Sequence, residues 1–222
     1  MPTQAKGWGT DAADQPLKPI SFERRDLRAN DVAIKISHCG ICHSDLHMAR
    51  NDWGMSRYPM VPGHEIVGTV TEVGGDVSRY RVGDKVAVGC LVDSCRECAQ
   101  CASGQEQFCV KGTTLTYAGL DRIDGSLTQG GYSNHVVVRE EFVCRIPENL
   151  DIAKAAPLLC AGITTYSPLR KFGVGEGSKV GVAGLGGLGH MGVKLARAMG
   201  AHVTMITTSP AKGADARELG AD

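Results

Sequence analysis

The chain has 222 residues with 24 basic and 24 acidic side chains, and this zero net charge argues against nucleic acid or an anionic membrane as a partner. Residues 155–169, the most apolar stretch, include four hydroxyl side chains and are too few to span a bilayer, and residues 1–15 lack the apolar run of a signal peptide. Nine cysteines, an odd number, suit a reducing environment, so the sequence predicts a soluble protein of the cytoplasm.

The first two thirds of the chain contain short β-branched segments separated by turn residues. Such segments are typical of strands, and their close spacing with glycine-containing turns favours a barrel-like arrangement. We therefore predict a β-rich, barrel-type domain over residues 1–150, interrupted by a polar lobe at about residues 91–115. The predicted strands include residues 31–37, 66–73, 85–88 and 133–138.

Four cysteines in the polar lobe have the spacing C-x2-C-x2-C-x7-C. Thiolates at such intervals can converge on one small cation, and four of them complete the tetrahedral shell of a structural zinc ion. An iron–sulfur cluster would call for a third interval of three and a following proline, whereas Val110 follows the last cysteine. Disulfides or another thiophilic metal are the remaining alternatives. The predicted ligands are Cys95, Cys98, Cys101 and Cys109.

From residue 151 the sequence changes to alternating helical and strand patterns. Residues 152–172 predict a largely helical connection, with Pro157 and Pro168 as breaks. A strand, a helix and a second strand then predict the start of a doubly wound parallel α/β fold, the Rossmann fold. The second domain thus covers residues 151–222. Its predicted elements are residues 179–183, a helix ending near residue 199, and residues 202–207.

A glycine-rich turn joins the first strand and the helix of this α/β segment. Gly184, Gly186 and Gly189 have the spacing G-x-G-x-x-G, with Gly187 as an additional glycine. In dinucleotide-binding folds these glycines permit the tight turn, the approach of the pyrophosphate and the close packing of helix on strand. The N-terminal amides of the helix add partial positive charge for the phosphates. The sequence therefore predicts a dinucleotide site.

The residues after the second strand indicate which dinucleotide binds. NAD-binding folds place Asp or Glu here to accept hydrogen bonds from the ribose, and a carboxylate would repel a 2′-phosphate. This chain instead has three hydroxyls and a cation, which favour NADP(H). A serine before a proline is also typical of a helix N-terminus, and the two roles are compatible. The residues are Thr207, Thr208, Ser209 and Lys212.

A second group of metal-ligand residue types lies in CGICHSDLH, residues 39–47, and in GHE, residues 63–65. Spacing alone does not rank the candidates Cys39, Cys42, His43, His47 and His64. The segments CGICHSDLH, YPMVPGHEIVG, the four-cysteine lobe, APLLCAGITTYSPL and GLGGLGHMGVK occur in the order found in zinc-dependent medium-chain alcohol dehydrogenases. The chain resembles that family over essentially its whole length, and most resembles the branch of cinnamyl alcohol dehydrogenases and bacterial NADP-dependent aldehyde reductases.

The resemblance implies a GroES-like catalytic domain, a following Rossmann domain and two zinc ions per chain, one catalytic and one structural. It implies that Cys42, His64 and Cys160 hold the catalytic zinc and leave a fourth position for water or substrate oxygen. Glu65 would be a transient alternative ligand, or otherwise a buried structural carboxylate. Asp45 matches the carboxylate that orients the His64 imidazole.

The resemblance also implies roles for residues around the two ligand groups. Ser44 and His47 would relay a proton from the alcohol through the cofactor ribose to solvent. His43 would contact the cofactor pyrophosphate, and Thr164 the nicotinamide. The substrate cleft would be bordered by Trp53, Met55 and Cys90. Without such roles, His47 would be an ordinary surface histidine, Trp53 and Met55 core or lid residues, and Cys39, Cys90 and Cys144 small buried hydrophobic residues.

The implied reaction is reversible hydride transfer between NADP(H) and a primary alcohol/aldehyde pair, with aromatic or medium-chain aldehydes as substrates. Lignin-forming relatives have a tryptophan where this chain has Thr114, which favours a broader aldehyde range. The alternatives are an NAD-linked polyol or secondary-alcohol dehydrogenase and a non-catalytic zinc-binding fragment. A homodimer is expected for the complete enzyme. Because the sequence ends at Asp222, where a third strand would begin, we expect an incomplete Rossmann domain and little activity from this chain alone.

Overall fold

The computed structural model describes residues 3–222, which form two compact units. The first unit ends at Leu159 and the second begins at Cys160. The sequence-based domain boundary lies after residue 150, nearer the N-terminus than this division. Within the described range, no helix combines the length and the apolarity that a membrane span requires.

The first unit is built mainly from short strands, with three short α-helices and three 3-10 helices among its described residues. Its strands are β1 (Thr3–Gly9), β2 (Lys18–Arg24), β3 (Asp31–Cys39), β4 (Ile66–Val73), β5 (Lys85–Val88), β6 (Leu91–Asp93), β7 (Thr114–Leu115), β8 (His135–Arg139) and β9 (Val143–Arg145). Its α-helices are α1 (His43–Ala49), α2 (Ala99–Ala102) and α3 (Ile152–Ala155). Its 3-10 helices are Glu106–Phe108, Glu140–Phe142 and Ala156–Leu159.

Five of these strands form one antiparallel sheet in the order β8–β3–β4–β5–β9. Ile34 in β3 lies opposite Val70 of β4 and Val136 of β8, and Ile66 in β4 lies opposite Val88 of β5. Because successive side chains alternate between the faces of a strand, these residues share one buried face and form the main core. The predicted β-rich architecture is confirmed, with an open sheet between edge strands β8 and β9.

Strands β1 and β2 form a separate antiparallel hairpin that the sequence pattern did not predict. Local propensity is weak here, because TQAKGWG contains a single β-branched residue. Contacts from a distant segment compensate: Trp8 N donates to the Tyr132 carbonyl at 2.8 Å, and Asn134 N donates to the Lys6 carbonyl at 3.0 Å. Gly7 permits this approach, since a Cβ there would lie 2.6 Å from the Tyr132 carbonyl oxygen.

The helical segment that follows residue 150 packs on the sheet of the first unit. Asp151 caps α3 by accepting a hydrogen bond from Ala153 N at 2.9 Å. Ala155 and Ala156 then pack against Val67 of β4 and Ala87 of β5 in a second buried cluster. This packing explains why the first unit extends to Leu159.

The second unit contains a parallel βαβ arrangement. Its elements are α4 (Ala161–Lys171), β10 (Lys179–Ala183), α5 (Gly187–Ala198), β11 (His202–Ile206), the 3-10 helix Pro210–Lys212 and α6 (Gly213–Glu218). Val180 lies opposite Val203 in the parallel pair β10–β11, and Val193 and Ala196 of α5 complete the core. This part of the Rossmann fold matches the predicted order of elements.

Pro168 lies inside α4, so the predicted break at this residue is wrong. A proline in a helix interior removes one backbone N–H donor but need not end the helix when its neighbours stay paired. Here Thr164 N donates to the Cys160 carbonyl at 2.9 Å and Phe172 N donates to the Pro168 carbonyl at 3.0 Å. Leu169 also packs on the core of the second unit, so tertiary contact stabilises the helix across the proline.

Candidate metal centres and nucleotide-binding turn

The four cysteines of the polar lobe converge on one point. Cys98 immediately precedes α2, Cys101 lies within it, and Cys109 follows the 3-10 helix Glu106–Phe108. All four sulfurs lie within 4.8 Å of one another, and the Cys101 sulfur is 3.5 Å from that of Cys98 and 3.9 Å from that of Cys95. A tetrahedron of sulfurs at about 2.3 Å from a central ion has edges of about 3.8 Å, so these residues fit a structural zinc ion.

Backbone N–H groups of the lobe point at these sulfurs. Cys95 N donates to the Cys109 sulfur, and Cys98 N donates to the Cys95 sulfur, each at 3.4 Å. A hydrogen bond from the backbone of Cys101 lowers the pKa of Cys98 to about 6, and one from the backbone of Cys95 lowers the pKa of Cys109. Since the thiolate is the form that binds metal, these bonds favour the ligand state of Cys98 and Cys109. A hydrogen bond with Ser94 acts to lower the pKa of Cys101, but burial and the neighbouring Cys98 thiol raise it to about 11.

A second group of metal-ligand side chains lies beside α1 and β4. Cys42 immediately precedes α1, and His64 and Glu65 immediately precede β4. Their ligand atoms lie within 4.8 Å of one another, and His64 and Glu65 are buried. A thiolate and an imidazole are typical zinc donors, so this group fits the zinc ion that the family resemblance implies. Cys160, the other predicted ligand, follows directly on Leu159 as the first residue of the second unit.

Asp45, buried in α1, connects the members of this group. Its Oδ1 lies 2.9 Å from His64 Nδ1 and accepts from Gly63 N at 2.9 Å, and its Oδ2 accepts from Cys42 N at 3.1 Å. Burial acts to raise the pKa of Asp45, but the hydrogen bond and charge of His64 outweigh it and hold that pKa below its ordinary value. An ionised Asp45 favours the tautomer with the proton on Nδ1, which leaves the Nε2 lone pair for a metal.

Two tyrosines that the sequence did not single out surround Asp45 and His64. Tyr132 Oη donates to Asp45 Oδ2 at 2.9 Å, although 87 positions separate the two residues. The Tyr117 ring lies 5.8 Å from the His64 ring. Burial and the negative charge of Asp45 raise the pKa of both hydroxyls, which therefore stay protonated. In the sequence, Tyr132 stands out only by following two consecutive glycines, and this position does not indicate that its hydroxyl bonds to Asp45.

The predicted relay residues lie on α1. The rings of His43 and His47 stack with centroids 4.6 Å apart, as expected for residues one helical turn apart. His47 Nδ1 lies 2.8 Å from Asp52 Oδ2, and its ring is 5.1 Å from that of Trp53. Ser44 is half-buried on the same helix. The Asp52 partner was not predicted, because its contact depends on the turn after α1.

The remaining predicted residues of the first unit differ in exposure. Trp53 and Met55 are 52% and 49% exposed, so neither is a core residue. Cys90 is half-buried, with its sulfur 3.9 Å from the Leu159 carbonyl oxygen. Cys39 packs against the main core, and burial raises its pKa to about 12. Cys144 is exposed, so its prediction as a buried residue is wrong; it follows Val143 at the start of edge strand β9.

The glycine turn of the second unit has the features of a phosphate-binding turn. Gly184 has φ of +86°, a conformation that L side chains rarely adopt, and its N–H donates to the Ile206 carbonyl at 2.8 Å. A Cβ on Gly189 would lie 1.9 Å from the Gly184 carbonyl oxygen, so α5 packs directly against the turn. Nothing lies within 4 Å of a Cβ built on Gly186 or Gly187. The backbone there is accessible, as a pyrophosphate would require.

We expect Gly189→Ala to destabilise the second unit, because its Cβ would meet backbone that cannot move without opening the turn. Overpacking of this kind costs about 1–3 kcal/mol. Urea unfolding monitored by circular dichroism would show this loss of stability as a lower urea concentration at the midpoint. The matched control is Gly187→Ala, which also adds a methyl group to α5 but in open space. Equal midpoints for the two variants would contradict this account of the turn.

The segment after β11 places polar groups next to this turn. Thr207 Oγ1 accepts a hydrogen bond from Ser209 N at 3.2 Å, and Thr208 is exposed. Lys212 Nζ donates to the Leu185 carbonyl at 3.0 Å, so its charge lies beside the glycine turn. Thr164, the predicted nicotinamide contact, is exposed on α4 of the same unit.

The chain is similar to alcohol dehydrogenases in both sequence and structure. A family described as the alcohol dehydrogenase GroES-like domain matches residues 28–148. A probable mannitol dehydrogenase of Fragaria ananassa is 56% identical over 99% of this chain and 61% of its own length. The NADP-dependent alcohol dehydrogenase C 1 of Mycolicibacterium smegmatis is 56% identical over 95% of this chain and 60% of its own length.

Solved structures give the same result. The cinnamyl alcohol dehydrogenase of Helicobacter pylori, complexed with NADP(H), superposes with a TM-score of 0.96 at 48% identity, over 100% of this chain and 64% of that one. The Sorghum bicolor enzyme SbCAD4 also has a TM-score of 0.96, at 49% identity over 99% of this chain and 63% of that one. The chain thus spans about three fifths of the length of the relatives it matches.

Proposed function

The chain belongs to the alcohol dehydrogenase family with a GroES-like domain, and from this premise we propose that it is part of a zinc-dependent enzyme that transfers hydride between NADP(H) and a primary alcohol or aldehyde. The observation that carries the proposal is the group of Cys42, His64 and Glu65, in which Asp45 orients the His64 imidazole. A thiolate beside an oriented imidazole is the donor arrangement that a catalytic zinc needs.

In this proposal Cys42, His64 and Cys160 hold the catalytic zinc, and the four cysteines of the polar lobe hold the structural one. Cys160 joins this set because the segment that contains it, APLLCAGITTYSPL, resembles the segment that supplies a zinc ligand in this family. Glu65 is the remaining carboxylate of the group and serves as the alternative ligand.

When bound, the catalytic zinc supplies Lewis acidity that polarises a carbonyl oxygen or lowers the pKa of an alcohol. The protein moves the proton. Ser44 exchanges it with the substrate oxygen, and His47 passes it to solvent, which it reaches because its side chain is 37% exposed. Asp52 Oδ2 lies 2.8 Å from His47 Nδ1 and fixes the orientation of the ring.

The second unit binds the cofactor in this proposal. The backbone of the turn Gly184, Gly186, Gly187 and Gly189 contacts the pyrophosphate, and the hydroxyls after β11 together with Lys212 contact the 2′-phosphate. No carboxylate lies between residues 207 and 212 to repel that phosphate. His43 on α1 and Thr164 on α4 are the proposed contacts to pyrophosphate and nicotinamide.

The relatives suggest the substrate class. They are described as cinnamyl alcohol, mannitol and 8-hydroxygeraniol dehydrogenases, so the names of these relatives include an aromatic alcohol, a polyol and an extended unsaturated alcohol. Trp53 and Met55 offer exposed apolar surface near the proposed relay, and Cys90 is half-buried beside Leu159. We propose aromatic or medium-chain aldehydes as substrates, a homodimer for the whole enzyme, and a reducing compartment such as the cytoplasm, where thiol ligands persist.

Cofactor selection tests the proposal. We expect the purified protein to bind NADPH more tightly than NADH, and Lys212→Ala to weaken NADPH binding about tenfold while leaving NADH unchanged, because a hydrogen bond to a charged group contributes about 1.5–3 kcal/mol. Quenching of nucleotide fluorescence would give both dissociation constants. The matched control is Lys194→Ala, which removes another exposed lysine, on α5.

Assays with an aromatic aldehyde and each reduced cofactor complete the test. Turnover that needs NADPH and is lost on zinc chelation would support the proposed enzyme. Preference for NADH with polyols or secondary alcohols would favour the second candidate enzyme. Zinc binding without any dinucleotide binding would identify a non-catalytic zinc-binding fragment.

A further inference from the structure

We propose that Tyr132 is a positioning residue for the catalytic metal centre and acts through Asp45. The inference rests on the proposed function, because it concerns how Cys42 and His64 are held for the zinc ion of that proposal. Tyr132 itself is not a ligand in this account: its hydroxyl contacts the carboxylate that contacts the ligands.

The carboxylate of Asp45 receives hydrogen bonds on both oxygens. Oδ1 is shared by His64 Nδ1 and Gly63 N, each at 2.9 Å, while Oδ2 accepts from Cys42 N at 3.1 Å and from Tyr132 Oη at 2.9 Å. Three of these groups belong to the ligand-bearing segments themselves. The Tyr132 hydroxyl is the one that comes from a separate part of the fold.

The Tyr132 backbone is fixed against the segment that leads into His64. Gly131 N donates to the Gly63 carbonyl at 2.8 Å, and Tyr132 N donates to the Pro62 carbonyl at 2.9 Å. Gly131 is needed for this approach, since a Cβ there would lie 2.3 Å from Ile66 Cγ1. The hydroxyl therefore reaches Asp45 from backbone whose register is set relative to His64.

A buried cation holds the other side of the same segment. Arg24 is 7% exposed, and its guanidinium donates to the Gly130 carbonyl at 2.9 Å, to Ser133 Oγ at 2.8 Å and to the His135 carbonyl at 3.0 Å. These bonds lie on both sides of Tyr132 in the chain. A tyrosine restrained in this way can restrain the carboxylate it contacts.

The physical consequence concerns rotation of the Asp45 carboxylate. Without the tyrosine, Oδ2 would lose the donor at 2.9 Å, and the carboxylate plane could turn away from His64 Nδ1. The His64 imidazole would then lose the partner that fixes its tautomer and ring orientation. Changes to such partners of metal ligands typically reduce metal affinity by about 10- to 100-fold.

The test is Tyr132→Phe, which removes the hydroxyl and keeps the ring. In protein loaded with two zinc ions per chain, we expect the catalytic equivalent to pass to an excess of chelator about tenfold faster than in the wild type. In protein with Co2+ at that site, we expect a shifted visible absorption band, because the geometry at His64 changes. The matched control is Tyr80→Phe, which loses a buried hydrogen bond to the Val143 carbonyl in the main core.

A double variant separates action through Asp45 from a general loss of stability. Asp45→Asn combined with Tyr132→Phe should release zinc no faster than Asp45→Asn alone, because the two changes act on one contact. The inference would be overturned if Tyr132→Phe released zinc at the wild-type rate and kept the wild-type Co2+ absorption band. It would also be overturned if Tyr132→Phe released zinc no faster than Tyr80→Phe. Either result would leave the proposed function intact. A wild-type protein that holds zinc only at the four cysteines would overturn the proposed function, and this inference with it.

Discussion

Replacing Cys101 with serine is expected to empty the four-cysteine lobe of zinc and to lower the free energy of unfolding by about 4 kcal/mol or more, the range typical of losing a structural metal. Serine is nearly isosteric but is a poor zinc ligand. The Cys101 sulfur lies within hydrogen-bonding distance of two other cysteine sulfurs, so its loss removes one of the four ligands and leaves the zinc coordination incomplete. Zinc analysis and urea unfolding of the same preparations would measure both effects.

The expected effect is large because the lobe lacks an apolar core. Within the described residues, the four buried apolar clusters include no residue between positions 94 and 113. Its large hydrophobic side chains Phe108 and Val110 are 59% and 69% exposed. Helix α2 has four residues, too few to be stable alone. The metal–sulfur bonds therefore supply the stabilisation that burial supplies elsewhere.

Cys144→Ser is the matched control, since it makes the same atomic change at an exposed cysteine outside both ligand groups. Surface changes of this kind usually alter stability by less than about 0.5 kcal/mol. If Cys101→Ser kept its zinc and unfolded at the midpoint of Cys144→Ser, the structural-zinc assignment would be wrong.

The sequence predicted what is encoded locally. Strands β3, β4 and β5 were found within two residues of their bounds, because β-branched residues alternate with polar ones and turn residues flank them. The glycine turn and β10 were also predicted from a short segment, because the G-x-G-x-x-G spacing follows directly on a strand pattern. The four-cysteine lobe is also local, since its ligands span residues 95–109.

Features that depend on distant contacts could not be predicted. The β1–β2 hairpin has weak strand propensity and is held by backbone of residues 132–134. The contact between Tyr132 and Asp45 joins residues 87 positions apart, and no short pattern indicates it. The ligand set of the second metal group was likewise ambiguous from spacing, and the resemblance to known dehydrogenases was needed to rank it. Local sequence patterns therefore predicted the strands and turns, whereas the contacts around His64 could be seen only in the folded structure.

In the whole enzyme, Cys42→Ala is expected to reduce kcat/KM for aldehyde reduction by about 1,000-fold or more. A metal ion at the developing alkoxide contributes several kcal/mol, and each 1.36 kcal/mol corresponds to tenfold in rate. The variant should hold one zinc ion per chain, at the four cysteines. Its unfolding midpoint should fall far less than that of Cys101→Ser, because Cys42 is half-buried at the start of α1 and its neighbours Asp45 and Met48 keep their packing. Steady-state kinetics and zinc analysis would measure these effects.

Cys42→Ala and Cys101→Ser together separate the two metal groups. In the first, activity should fall while the fold persists, and in the second, stability should fall because the lobe loses its zinc. The distinction follows from the surroundings of each group. Asp45 holds the segments of Cys42 and His64 through hydrogen bonds that do not require the metal. In the described part of the lobe, by contrast, the backbone hydrogen bonds from Cys95 and Cys98 end on the sulfurs that bind the ion. A Cys42→Ala protein with two zinc ions and wild-type turnover would refute the proposed catalytic ligand set.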